Sequence, residues 1–388
     1  MRETWRWYGQ FDKISLSDVR QTGACGIVTA LHEIPYGEVW GEEAISARKS
    51  KIEAAGMSWD VVESLPVHER IKRGDGDLCE LFANYRQSMA NLAAQGVHTI
   101  CYNFMPLLDW TRTDLEAPVK GGGTCLRFSA PRMAAFELFM LRREAAEEEY
   151  PAEVRKEAAV WFQQSSEDDR EELLTSIMAG LPGAFERYSV ESLNKALSDY
   201  AGMSRDDLRA NYKRFLEEII PTAQELGMRF CVHPDDPPRD ILGLPRIVSN
   251  AEDIAWVINA FEAPANGLTL CSGSLGANPE NDVPDIAKTF ADRIHFAHLR
   301  NVRKEPDGSF EEAAHLGGDT NMVDLIATLL AEEGRRREAG RTDWNIPFRP
   351  DHGHELLSDL GSGTHPGYPL IGRLRGLAEL RGVVHALS

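Results

Sequence analysis

The sequence predicts an α/β fold, a TIM (β/α)8 barrel with a helical insertion after the fourth strand, and three features carry that prediction. A short apolar segment followed by a polar turn recurs eight times along the 388 residues. Long, charged, amphipathic stretches separate most of these segments. One interval is far longer than the rest and reads as helical. Alternating strand and helix builds parallel βαβ units, and eight such units close into a barrel.

The candidate strands are Thr4–Trp7, Gly26–Leu31, Trp59–Ser64, Val97–Asn103, Met228–His233, Leu268–Cys271, Ile294–His298 and Asn345–Arg349. Several are nearly continuous apolar runs, the pattern of a parallel strand buried on both faces. Helical stretches such as Leu78–Gln95, Leu208–Leu226 and Met322–Ala339 lie between them. From Asn103 to Met228 no convincing strand is found, whereas Ala134–Tyr150 and Glu167–Met178 are helical and charge-rich. This places a helical insertion at residues 105–207 within a single barrel domain spanning 1–388. That length exceeds the ~250 residues of a typical barrel, so an insertion fits. A separate helical domain is the alternative.

Composition narrows the function. With 43% hydrophobic and 8% aromatic residues, the chain has the composition of a globular protein with a large core. A net charge of −19 repels phosphate backbones and anionic lipid heads, which argues against nucleic-acid and membrane binding. It does not exclude an anionic substrate, because a cation and local arginines reverse the sign inside one pocket. Without an apolar run of about 18 residues, and with no signal-peptide pattern at Met1–Trp5, a cytoplasmic location is expected. The six cysteines form no CxxC pair or compact framework and read as reduced thiols. No glycine cluster matches GxGxxG, a P-loop or a GxSxG elbow, so a nucleotide cofactor is unsupported.

Barrel active sites form at the C-terminal ends of the strands. The last four candidate strands end in Cys231–Pro238, Leu270–Gly276, His295–Asn301 and Phe348–His354, and each end offers a metal-capable side chain: His233, Cys271, His298 and Asp351. Two imidazoles, a thiolate and a carboxylate suit Mn²⁺, Fe²⁺ or Zn²⁺ better than an ion that prefers oxygen alone. Singly, each donor has an ordinary structural explanation. His295, three residues before His298, points to the opposite face of its strand, and Asp235 and Asp236 before two prolines could simply make a rigid turn. Four donors at one face of a barrel are a different matter, since independent accidents rarely coincide.

His352 follows Asp351 directly, and Tyr368 lies on the same long loop. Removing water from a β-hydroxy acid requires abstraction of the proton α to the carboxylate and protonation of the departing hydroxyl, so both residues are candidates for proton transfer. The enediolate formed on the way carries extra negative charge, which a cation on the carboxylate stabilises. Arg6, Arg300 and Arg349, at or near strand ends, offer planar forks for a substrate carboxylate.

Long ordered motifs then bring a family into view. Trp5–Gly9, Val28–His32 with Gly37–Trp40, Val62–Glu69, Cys101–Pro106, Leu108–Asp114, His233–Pro238, Cys271–Gly276, His298–Asn301, Arg349–His354 and Gly367–Gly382 resemble the mannonate dehydratases over nearly the whole chain. The resemblance implies a xylose-isomerase-like barrel that converts D-mannonate into 2-keto-3-deoxy-D-gluconate and water in hexuronate breakdown. It implies Mn²⁺, with Fe²⁺ as the alternative, on positions matching His233, Cys271, His298 and Asp351, and proton transfer by His352 and Tyr368. Within its motifs Trp7, His32 and Asn301 join the three arginines as substrate-binding candidates. A homo-oligomer, dimer or larger, is expected. Rivals are a metal-dependent sugar isomerase or epimerase on the same barrel, and a dehydratase for another aldonate. One stretch departs from the family pattern: Glu33 and Tyr36 stand where His and Asn are expected, on a loop that could line the substrate pocket.

Overall fold

All eight segments expected as strands pair in parallel and close on themselves. The computed structural model describes residues 1–180 and 188–388. Its strands are β1 (Arg2–Arg6), β2 (Gly26–Thr29), β3 (Ser58–Glu63), β4 (Thr99–Tyr102), β5 (Asp114–Pro118), β6 (Thr124–Phe128), β7 (Arg229–Val232), β8 (Asn266–Cys271), β9 (Ile294–His298), β10 (Asn301–Lys304), β11 (Phe310–Ala313) and β12 (Pro347–Arg349). The barrel runs β1-β2-β3-β4-β7-β8-β9-β12 and back to β1. Neighbouring residues in each strand face opposite ways, and the core divides accordingly. Val28, Val61, Cys101, Cys231 and Phe296, from β2, β3, β4, β7 and β9, form one buried cluster inside. Ile27, Val62, Ile100, Phe230 and Leu268 pack outward with the helices.

Local signals set the helices around this barrel. Ser204 and Asp207 form a capping box ahead of the helix Arg205–Glu225. That helix buries Leu208, Tyr212, Phe215, Leu216, Ile219 and Ile220, which share one face at helical spacing. At the C-terminus, the Asp359 carboxylate accepts the N–H groups of Leu370, Ile371 and Gly372 at 3.1, 3.1 and 3.0 Å, capping the helix Leu370–Leu387. Arg373 of that helix lies over the Trp5 ring at 4.0 Å and donates to the Arg6 carbonyl at 2.9 Å, fastening it to β1.

The interval from Asn103 to Met228 differs from expectation, because it contains the strands β5 and β6. These join β11 and β10 in a separate antiparallel sheet, ordered β10-β11-β6-β5. Pairing comes from far along the chain: Phe310 opposes Phe128, and their rings stack at 5.4 Å. The stretch Ala134–Tyr150 is also broken, into a π-helical turn at Phe136–Met140 and a short helix at Ala146–Glu149. The helix expected at Glu167–Met178 forms at Glu167–Ile177. A second core joins these elements to barrel loops, with Phe136, Tyr150, Ile177 and Leu193 packed in one cluster with Leu242, Val302 and Phe310. Among the described residues no helix is long and apolar enough to cross a membrane.

Candidate metal centre and active site

Register brings the candidate donors to one level. Cys271 ends β8 opposite His298, which ends β9, and His298 in turn lies opposite Arg349, which ends β12. His233 follows β7 immediately and is tied by its N–H to the Tyr102 carbonyl at 2.7 Å. As a result, ligand atoms of His233, Cys271 and His298 lie within 4.8 Å of one another. His233 Nε2 faces His298 Nδ1 at 3.1 Å. Asp351 Oδ2 stands 3.7 Å from Cys271 Sγ and 3.9 Å from His298 Nδ1. Asp351 adopts φ 59°, a left-handed conformation that a non-glycine residue holds at a cost.

Electrostatics prepare these donors for a cation. Burial raises the Cys271 thiol, but Arg300 and the hydrogen bonds from His233 and His298 outweigh it and hold the group well below the usual thiol range. Burial likewise opposes a proton on His233, yet the Cys271 contact raises that imidazole to about 10. A lowered thiol beside imidazoles is the chemistry a cation ligand needs, since the thiolate is the form that binds metal. Asp351 is held well below the usual carboxylate range, with Arg349 the leading cause against burial. His298 Nε2 has no hydrogen-bond partner, although Glu63 Oε2 lies 3.4 Å away. The mixed donor set and its convergence fit a transition-metal ion.

Beside the donors lies a small cavity whose lining includes Trp110, His233, Arg349, Asp351, His352 and Tyr368. The His352 and Tyr368 rings meet edge-on at 5.0 Å. Tyr368 donates to Asp351 Oδ1 at 3.3 Å, and burial pushes its phenol up to about 12. His352 Nδ1 lies 3.0 Å from Glu312 Oε1. Beneath them is a buried charge network in which Arg112 donates to both oxygens of Asp236, at 2.7 and 3.1 Å, and to Glu312 at 3.1 Å. Arg300 bridges the same two carboxylates and approaches Asp351 at 2.8 Å. Gly273 makes room for it, since a Cβ there would fall 2.4 Å from the Arg300 side chain.

The structure places His233, Asp351, His352, Tyr368 and Arg349 on the lining of this cavity, with Cys271 and His298 converging on His233. Arg349 is committed to Glu63, at 3.0 and 2.7 Å, and to Asp351. Arg6 donates to the Glu63 carbonyl and approaches His32 Nε2 at 3.4 Å, leaving its own buried Nε without a partner. Burial and the nearby Arg6 lower the His32 pKa well below the usual imidazole range, so that ring is neutral. Trp7 is not brought to the cavity. Next to Arg6 in sequence, it faces outward beneath Arg48 and Lys51. Asn301 is spent on backbone groups of His315, Thr320 and Val302. Glu33 turns to Arg48, with both oxygens at 2.9 and 3.1 Å.

Several residues of the site escape sequence reasoning. Glu63 ends β3, so the rule that points to Cys271 also points to it. Asp109 and Trp110 line the cavity, and Trp110 Nε1 is buried without a partner. Asp236 proves to be more than a turn residue. His295 does lie on the far side of its strand, its Nε2 bonded to the Pro264 carbonyl at 3.0 Å.

A closed parallel barrel with converging His, Cys and His donors and an adjoining His–Tyr pair defines a TIM-barrel enzyme of the metal-dependent class. A family model described as D-mannonate dehydratase (UxuA) matches residues 1–388. The mannonate dehydratase of Chromohalobacter salexigens is 52% identical over 389 aligned positions, covering 100% of this chain and 99% of that protein. That of Rhizobium meliloti is 51% identical, covering 100% and 97%. The crystal structure of mannonate dehydratase from Streptococcus suis serotype 2 superposes with a TM-score of 0.78 at 33% identity, covering 100% and 93%. The chain belongs to the D-mannonate dehydratase family and is a hydro-lyase that removes water from D-mannonate. A D-psicose 3-epimerase matches with a TM-score of 0.50 at 11% identity over 99% of both chains, a likeness of fold alone.

Proposed function

We propose that His233, Cys271, His298 and Asp351 hold one Mn²⁺ ion, with Fe²⁺ the alternative, and that His352 and Tyr368 carry the proton transfers of D-mannonate dehydration. The observation that supports this reading is the convergence of three donors within 4.8 Å beside the cavity that contains the His–Tyr pair. When bound, the ion supplies a Lewis acid for the substrate carboxylate and its neighbouring hydroxyl. The protein side chains do the rest. His352 and Tyr368 share removal of the C2 proton and protonation of the C3 hydroxyl, which leaves as water and gives 2-keto-3-deoxy-D-gluconate. Arg349 and Arg6 offset the buried carboxylates Glu63 and Asp351 beside the pocket, and the buried walls exclude bulk water. Arg300 belongs to the supporting charge network, and its direct contact with substrate is not required.

Replacing either proton-transfer residue, as His352→Gln or Tyr368→Phe, is expected to lower kcat by about 10²–10⁴-fold while the metal content stays at the native level. Native turnover in both variants would remove the pair from the mechanism. Residues 105–207 are read as an insertion in one barrel domain. The enzyme is further read as a cytoplasmic homo-oligomer, an expectation that light scattering tests directly.

A further inference from the structure

The antiparallel sheet outside the barrel meets the loop that carries His352, and one of its side chains touches the His352 ring. We propose that Glu312, on β11, is a positioning residue that fixes the tautomer and orientation of His352. The inference rests on the assignment of His352 to proton transfer.

Three contacts carry it. Glu312 Oε1 lies 3.0 Å from His352 Nδ1. The carbonyl of the same residue accepts from His354 Nε2 at 2.9 Å. On the next strand, Thr124 exchanges backbone hydrogen bonds with Glu355, at 3.1 and 2.9 Å. Loop residues 352 to 355 are thus held on the sheet at three points. Gly367 fits under the His352 ring, where a Cβ would meet ring atoms at 3.2 Å and Leu126 of β6 at 2.6 Å.

The chemistry of the acceptor decides the tautomer. Glu312 is buried between Arg112 and Arg300, both of which donate to Oε1. An ionised carboxylate only accepts, so the contact requires a proton on Nδ1. In the neutral ring, Nε2 then carries the lone pair. That nitrogen is 3.8 Å from Asp351 Oδ1, on the side of the metal donors. A carboxylate behind an imidazole also stabilises the charged ring once it has accepted a proton, and a wrong tautomer removes the acceptor altogether. Because β11 pairs with β10 and β6, the residues after the seventh barrel strand and those in the insertion cooperate to present this one group.

The test is ¹⁵N NMR of histidine in the Zn²⁺-loaded protein, with the His352 signals located by comparison with His352→Gln. Wild type is expected to show the Nδ1–H tautomer at His352. Glu312→Ala is expected to lose that tautomer and to lower kcat by about 10²–10³-fold, with metal stoichiometry native and KM little changed. Glu312→Gln, whose amide oxygen can stay with the two arginines, should keep the tautomer but, lacking the charge, restore kcat only in part. An Nε2–H tautomer in wild type overturns the proposal, and that measurement decides even if the alanine variant does not fold. So does a Glu312→Ala protein that loses kcat with the tautomer unchanged, since its role would then be structural. Failure of the underlying assignment looks different: His352→Gln would turn over substrate whatever the tautomer.

Discussion

Arg112→Met should destabilise the protein through charge imbalance. Arg112 and Arg300 together neutralise Asp236 and Glu312, and all four side chains are at most 3% exposed. Both carboxyls are ionised at neutral pH. Burial raises them, but the two arginines hold Asp236 far below the usual range, and Arg300 with His352 and Arg112 brings Glu312 to about 2. Removing Arg112 leaves a buried negative charge uncompensated, and breaking one side of such a pair costs about 3–5 kcal/mol. Unfolding entropy near ~2.1 cal/mol/K per residue gives ~0.8 kcal/mol/K for 388 residues, so Tm should fall by about 4–6 °C. Asp236→Asn alone should cost a comparable amount. The double variant Arg112→Met/Asp236→Asn restores neutrality, so its loss should be smaller than the sum of the single losses by about 2–3 kcal/mol. Calorimetric melts of the four proteins at one scan rate measure this. Strictly additive shifts would refute the reasoning.

Two further outcomes follow from groups away from the chemistry. Burial lowers His295 to about 3, so below the unfolded value near ~6.5 the unfolded chain takes a proton that the folded one refuses. Stability attributable to this residue is complete above that value and falls by about 1.4 kcal/mol per pH unit as pH drops towards about 3. His295→Gln, which keeps a donor for Pro264, should flatten the acid limb of the stability curve between pH 6 and 4; an unchanged limb contradicts the assignment. Glu33→Gln weakens the pair between this partly exposed carboxylate and the buried Arg48 and should cost about 1–3 kcal/mol. Because that carboxylate points away from the cavity, kcat/KM on D-mannonate should hold, and a tenfold change would place Glu33 in substrate selection after all.

The barrel was legible because its eight strands are apolar runs that must be covered on both faces, and such runs announce themselves. The convergence of His233, Cys271 and His298 was legible for a related reason, since a polar residue that closes an apolar strand of a barrel has only one end of the molecule to face. The same logic covers Glu63, which closes Ser58–Glu63 and meets Arg349 and His298, but reading only the last four strand ends passes over it. Trp7 shows the opposite failure. Adjacent to Arg6 in a matching motif, it is separated from it by the alternation of the strand. β5, β6 and Glu312 were not legible, because their meaning lies in pairing with distant segments. Glu312 acquires its partners only when β11 is laid against β6 and Arg112 is brought under it.

The proposed metal centre requires Cys271 as a ligand to a single ion. Loading the protein with Co²⁺ and recording its near-ultraviolet absorption tests this directly, because a thiolate on cobalt gives a charge-transfer band that imidazole and carboxylate do not. One ion per chain with that band in wild type, and the band lost with weakened binding in Cys271→Ala, is the expected result. Native affinity and an unchanged spectrum in the variant would contradict it.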